Sequence, residues 1–289
     1  MNVFYRNQVD SVSSHQRFFR PSCLPALNLR FAKWTFFQPY DGKTFDQINV
    51  PLELTRTPED TVINYFSVLR EAAFMGGRSC GTIGQATNPF PLAYNFFTKE
   101  FQQKISYETY LDSFAGVGHT SLIKLCQVPD EKQGIKFFYE IETIEGFEGR
   151  NTEYFGYSYG FLQLVRGNEG FRISDLQQIG EDFLCAPYHG WDQDGESIVE
   201  IKYGEWCKLV KKRYPTIRNG YIKNIYFRGN DGANYLFVFF TLTNGTDREI
   251  AQFRKVGDEK WQQIKINPEQ ECITHTNERW DKGPGSLSH

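Results

Sequence analysis

Glu140 and Glu142 sit two residues apart, on one face of what reads as a strand. Paired carboxylates can serve glycoside hydrolysis or hold a divalent cation. Half-exposed antiparallel strands also carry such charges on their wet face, and a solvated face is the reading taken here. Asp192, Asp194 and Glu196, in Asp192-Gln-Asp-Gly-Glu, alternate like the first ligands of a calcium loop. The other ligands and the distal glutamate of such a loop are missing, so the segment reads as an acidic helix N-terminus favoured by the helix dipole. Lys208, Lys211, Lys212, Arg213, Arg218 and Lys223 lie near Tyr221, Tyr226 and Phe227, the ingredients of a basic aromatic surface. Cations at a helix C-terminus are favourable in their own right, and a net charge of −3 supplies no broad positive field. No nucleic-acid partner is therefore expected.

Other chemistries lack their motifs. Gly76-Gly77 to Gly84 follows a helix rather than a strand and contains no Gly-Lys-Ser/Thr, so it is no phosphate loop. There is no Gly-x-Ser-x-Gly elbow, and nothing marks Cys80 as an activated thiol. The six cysteines, Cys23, Cys80, Cys126, Cys185, Cys207 and Cys272, form no Cys-x-x-Cys pair. They are read as free and mostly buried thiols, although an even count permits disulfides in an exported chain. Neither a metal nor a cofactor is expected.

The elements that would position these residues begin with an amphipathic helix from Thr57 to about Phe74. Thr57 can cap it, Pro58 occupies a tolerated first position, and Asp60 has capping-box spacing. Val62, Phe66, Leu69 and Ala73 make its apolar stripe, with Tyr65 beside it. A second helix is predicted over 91–103 with Leu92, Phe96, Phe97 and Phe101 inward, and Ser106 caps a third, short one carrying Tyr110, Leu111 and Phe114. The period then changes to alternation, predicting strands over 120–128, 135–144, 152–165 and 171–179. In the third, Gly156, Ser158 and Gly160 share a face, which implies sharp curvature or close backbone approach there.

The pattern breaks at 180–195. Beyond it, a helix is predicted over 196–214, ended by Pro215, then strands over 221–228, 234–242, 248–256 and 260–266. Asn244-Gly245 is the strongest hairpin signal, and 235–242 is apolar on both faces, as in a doubly covered central strand. Residues 1–56 read as a partly ordered lead-in with a short strand over 31–37, and 268–289 as a loose polar tail. Similar closing hairpins, Arg166–Ile173 and Val256–Gln263, suggest a weak internal repeat.

Composition agrees with these patterns. The chain has 289 residues, 40% hydrophobic and 16% aromatic, enough for sheet-based cores in two domains. No stretch approaches the ~20 apolar residues of a membrane span. Arg6, Asp10, His15, Arg17 and Arg20 interrupt any signal-peptide core, so the default expectation is cytoplasmic, with the cell envelope or secretion as the alternative if the N-terminus is incomplete.

The segment Thr57-Pro-Glu-Asp-Thr-Val-Ile-Asn-Tyr-Phe, the Phe97–Phe101 stretch, Ser106-Tyr-Glu-Thr-Tyr-Leu-Asp-Ser-Phe and the Gly170-Phe-Arg-Ile hairpin together resemble the nuclear transport factor 2-like superfamily. This cystatin-like cone also contains ketosteroid isomerases and SnoaL-type cyclases. The likeness is greatest to modules of bacterial envelope and accessory proteins and covers about 57–180; residues 196–267 look like a shortened relative. It implies an α+β fold with helices packed on a strongly curved antiparallel sheet (a cone, 57–180), followed by a smaller helix-plus-four-strand α+β domain (181–267). It also implies a pocket, with Phe66, Phe96, Phe114, Tyr139, Tyr157 and Phe161 as its expected lining.

Enzymes of the superfamily place an Asp, or a His–Asp pair, with a Tyr in that pocket, so Asp112, His119 and Tyr65 are the acid–base candidates; Tyr139, Glu140, Tyr157 and Asp175 could also approach it. None falls in a catalytic motif, and Asp112 lies opposite the apolar residues of its helix. The expectation is therefore a non-catalytic binding or protein-interaction module for a small apolar ligand or partner segment, able to pair as a homodimer through its sheet face. An isomerase, dehydratase or cyclase is the alternative, and an envelope assembly subunit with a lost anchor a third.

Overall fold

The structure, a computed structural model, describes residues 20–31, 34–75, 86–130, 134–146, 152–182, 189–257 and 260–273. The chain divides into two units, 2–181 and 182–289, each an α+β arrangement with its own antiparallel sheet.

In the first unit, helix α1 spans Pro58–Arg70. Thr57 caps it, its hydroxyl accepting the Asp60 N–H at 3.1 Å. It stops short of the expected Phe74 because Phe74 pairs elsewhere: its N–H donates to the Val117 carbonyl and its carbonyl accepts from Gly116, both at 2.8 Å. Nearly every residue from Thr61 onward is buried, Tyr65 included, so the stripe is a wholly covered helix rather than a one-sided one.

The helix expected over 91–103 is two, α2 (Pro89–Tyr94) and α3 (Lys99–Lys104). Between them the backbone of Phe96 accepts from Ile173 at 2.8 Å, and Thr98 donates back to Ile173 at 2.9 Å, an extended contact that a continuous helix would forbid. Thr98 then caps α3, and Ser106 caps α4 (Tyr107–Asp112).

Strands β1 (Val117–Val128), β2 (Ile135–Gly146), β3 (Glu153–Gly167) and β4 (Gly170–Leu176) form a meander, with β5 (Ile179–Gly180) returning onto β3. The strand expected over 171–179 is thus split in two. One sheet face carries Leu122, Leu125, Phe137, Tyr139, Ile141, Leu162 and Leu164 into a core shared with the helices. At β3 the glycine face shows a close backbone approach: a Cβ on Gly160 would overlap the Gln177 carbonyl. That carbonyl also accepts the Tyr139 hydroxyl at 2.9 Å.

The opposite face corrects the reading of Glu140 and Glu142 as solvated. They are 0% and 2% exposed. Lys124 Nζ lies 2.7 Å from Glu140 and Arg20 Nε 2.7 Å from Glu142, while Tyr157 donates its hydroxyl to Glu142 at 2.8 Å. Alternation assigns a face but not its cover; here the lead-in brings Arg20 and the Ser22 N–H onto Glu142. The described lead-in also sends Leu27, Phe37, Ile48, Val50 and Leu54 into the core. The expected strand over 31–37 is instead a 3-10 turn, Trp34–Tyr40, in which Phe36 stacks on Phe31 at 4.1 Å.

In the second unit, α5 (Gly195–Ile198) runs into a π-helical stretch, Val199–Trp206. The helix ends there rather than at Tyr214. Lys208 turns to φ +53°, and Val210–Arg213 becomes strand β6. With β7 (Ile217–Asn219), β8 (Ile222–Gly229), β9 (Asn234–Thr241), β10 (Asp247–Val256) and β11 (Lys260–Ile264), the sheet has six strands where four were expected. A short run of lysines misread as helical suits a charged edge strand. The centre of β9 is buried on both faces.

A disulfide joins Cys207 to Cys272, correcting the expectation of free thiols, with Cα atoms 4.9 Å apart. It follows helix α6 (Pro268–Glu271), so the first turn of the expected loose tail is ordered. Cys126 is a buried free thiol, while Cys80 and Cys185 lie outside the described residues. No helix among the described residues is long and apolar enough to cross a membrane.

Candidate functional site

A cavity of about 470 Å³ opens between α1, α4 and the core face of the first sheet. Helix α1 contributes Tyr65, Phe66 and Leu69; α3 contributes Phe101; α4 and the turn after it contribute Thr109, Tyr110, Ser113 and Phe114. The sheet wall comes from alternate residues of β2, Ile141, Thr143 and Glu145, together with Thr120 and Ser158. Its helical wall is aromatic. Tyr65 and Tyr110 each lie within 6 Å of Phe97, at 5.6 and 5.5 Å between ring centres, and Phe114 lies edge-on to Tyr110 at 5.1 Å.

Two polar features interrupt this surface. The Tyr65 and Tyr110 hydroxyls share a 3.5 Å hydrogen bond, and burial raises both above the ordinary phenol range, so both stay neutral donors. At the sheet side, Glu145 accepts the Thr143 hydroxyl at 2.5 Å and the Tyr154 hydroxyl at 3.0 Å.

Of the residues singled out from sequence, Tyr65, Phe66 and Phe114 line this cavity. Phe96 and Tyr139 share its side of the sheet but belong to the solid core. Tyr157 and Phe161 lie on the other face, because β3 turns Ser158, Gly160 and Leu162 toward the helices; Tyr157 engages Glu142, and Phe161 packs at 4.9 Å from Phe138. Asp112, the last residue of α4, is exposed. His119 lies near Arg70, Arg30 and Arg20 rather than in the lining. The sequence reading passed over Glu145, which follows Glu140 and Glu142 in strand position but turns to the opposite face, a fact the odd–even count could have supplied.

The second unit places its own candidates apart. Asp194 caps α5, accepting the Ser197 N–H at 2.9 Å. Burial opposes its charge, but Ser197 and Lys223 outweigh this and hold its carboxyl below the usual range. Among the described residues no cluster of metal-ligand type is present. Of the basic aromatic set, Lys223 is buried with Asp247, Phe227 is in the core, and Arg213 pairs with Glu200 at 2.9 Å. A second cleft of about 550 Å³ lies between Tyr214, Ile217, Tyr226, Lys255 and Trp261. Comparison with family models, with curated proteins and with solved structures finds no match to this chain.

Proposed function

We propose that the first unit is a binding module of the nuclear transport factor 2-like kind, its sheet curved as a cone over α1 and its cavity taking a small apolar molecule. The observation that carries this reading is the aromatic wall formed by Tyr65, Phe66, Phe97, Phe101, Tyr110 and Phe114 around about 470 Å³, a volume within the ~300–1,000 Å³ of small-molecule sites. Burying an apolar ligand there gains roughly 25 cal/mol per Å² removed from water. The neutral Tyr65–Tyr110 pair adds a hydrogen-bond donor that a keto or hydroxyl group on the ligand could use.

The test is a fluorescence titration of the full chain with the neutral probe 1-aminoanthracene. Thr109 and Ser113 are exposed on the rim of the cavity, so Thr109→Trp or Ser113→Trp should block it without disturbing the core. Saturable binding lost in both variants, with unchanged melting temperature, is the expected result. Equal binding in wild type and both variants would sink the reading.

The acid–base alternative rests on Glu145. This carboxylate, rather than Asp112, shares the cavity with neutral tyrosine donors. An enolisable substrate held between them could lose a proton to Glu145 while Tyr110 stabilises the oxyanion. Turnover abolished in Glu145→Gln, with 1-aminoanthracene binding kept, would favour it; absence of proton exchange at such a substrate would remove it.

A further inference from the structure

The lead-in, α1 and β1 meet in a polar junction that borders the cavity at the backbone of its lining residues Phe66 and Thr120. Asn28 is its centre. Its side-chain amide donates to the Phe66 carbonyl at 2.8 Å and the Thr120 carbonyl at 3.0 Å, and its side-chain oxygen accepts from Leu122 N–H at 2.9 Å. The Asn28 carbonyl accepts from Arg70 Nη1 at 2.6 Å. These bonds bring the end of α1 against the start of β1, where His119 precedes Thr120.

Nitrogen atoms at this junction lack partners. Arg70 is 7% exposed, yet its Nε is buried with no hydrogen-bond partner among the described residues. His119 Nδ1 and Arg20 Nη1 are in the same condition. Buried polar groups are normally satisfied, and leaving one unpaired costs about 1–3 kcal/mol, more when it is charged. The local charge is also unbalanced. Arg30 is held by Glu71 through two bonds of 3.2 Å, and Arg20 by Glu142 at 2.7 Å. Arg70 has Glu71 nearby but the positive charges of Arg30 and Arg20 as well, and His119 feels all three guanidinium groups. Glu181, whose N–H bonds the Tyr157 carbonyl at 2.8 Å, adds a third carboxylate on the Arg20 side, so the excess of positive charge falls at Arg70 and His119. What is missing is a negative charge with several acceptor oxygens.

We propose that Arg70, His119 and Arg20 form a binding site for a compact oxyanion of the phosphate or sulfate type. The anion would accept from Arg70 Nε and Arg20 Nη1, two charge-assisted bonds, and from a protonated His119 Nδ1. Arg30, with its side chain half exposed, marks the open side. Such a ligand could arrive as a free ion or as the phosphate group of a larger molecule, because the donors read only the oxyanion.

The experiment uses the full chain in phosphate-free buffer at constant ionic strength. Inorganic phosphate is titrated while the His119 ring signals, assigned through His119→Gln, are followed by NMR. Parallel titrations use sodium sulfate, sodium chloride and a nucleoside monophosphate. Saturable shifts of His119 with phosphate and sulfate but not with chloride are expected, together with an upward move of the His119 titration. Arg70→Gln should weaken binding about 10-fold or more, the loss typical of a charge-assisted bond. If that variant fails to fold, Arg30→Gln, at the exposed side, should weaken it by a smaller factor of roughly two to five by reducing the local field. Tighter binding of the nucleotide than of free phosphate would identify a larger ligand, and equal binding a free ion. No saturation up to 50 mM phosphate, an equal response to chloride, or affinity unchanged in both arginine variants would overturn the proposal.

Discussion

Tyr65 and Tyr110 point their hydroxyls at one another across 3.5 Å in the aromatic wall of the cavity, one from α1 and one from α4. Burial raises both phenols above their usual value of 10.0. A group whose folded value is raised keeps its contribution to stability below the unfolded value and loses it as pH rises toward the folded one. The first unit should therefore be indifferent to these tyrosines below pH ~10 and lose stability progressively above it. Absorbance at 295 nm should show a fraction of tyrosines ionising only together with unfolding. Tyr110→Phe should lessen that loss, and an unchanged alkaline limb in the variant would contradict the assignment.

His119 sets the acid limb. Burial, followed by Arg70, Arg30 and Arg20, lowers it from 6.5 to about 4. Folding holds the ring neutral, so its contribution is present above pH 6.5 and is lost as pH falls from 6.5 to about 4. The full effect is at most about 3 kcal/mol. In phosphate-free buffer, urea midpoints should fall across that window and flatten in His119→Gln. A midpoint independent of pH in the wild type would remove His119 as the cause.

Asp247 ties the second unit together. Lys223 Nζ contacts its carboxylate, Gly195 N–H donates at 2.8 Å and Thr241 Oγ1 at 2.6 Å, all with Asp247 1% exposed. Removing one partner of a buried ion pair costs roughly 3–5 kcal/mol when the other is stranded, and Asp194, 3.3 Å from Lys223, puts Asp247→Asn at the lower end of that range. Asp247→Asn and Lys223→Met should each destabilise within that range, and the double variant by less than their sum. Additive losses in denaturant titrations would show that the two act separately.

Much of this architecture was legible in the residues. The α1 cap at Thr57, the change from helical to alternating period after Gly118, and the doubly buried β9 all follow from local pattern. What escaped depends on distant partners. The strand β6 carries Lys211, Lys212 and Arg213, which fit a helix end equally well, and only pairing with β8 decides between them. Likewise Glu142 is buried because Arg20, more than a hundred residues away, meets it. The site was half legible: Tyr65, Phe66 and Phe114 were named, but Tyr157 and Phe161 sit across the sheet and Glu145 was overlooked.

The Cys207–Cys272 bond anchors α6 to the end of the π-helical stretch, and Lys202 reinforces it by reaching Glu269 at 2.8 Å. Closing a loop of 65 residues should stabilise by roughly 2–4 kcal/mol, chiefly by restricting the unfolded chain. Reduction should lower the melting temperature of the second unit, as should Cys207→Ser with Cys272→Ser, whose melting should then be insensitive to reductant. Equal melting of oxidised and reduced wild type would deny the bond a structural role.

Gly160 tests how tightly β3 is built. A Cβ there would meet the Gln177 carbonyl, which is also the acceptor for Tyr139. Because the obstacle is backbone rather than the end of a flexible side chain, Gly160→Ala must push the segment between β4 and β5 away from the sheet. The Tyr139 hydroxyl, buried in the core, then loses its partner, at a cost of about 1–3 kcal/mol beyond any strain. Ser158→Ala, on the same face two residues earlier and lining the cavity, lacks that obstruction and serves as control. Hydrogen exchange should show faster opening at Gln177 in Gly160→Ala but not in Ser158→Ala. If Gly160→Ala leaves both stability and exchange at wild-type values, the close approach of these two backbones is not what selects glycine at this position.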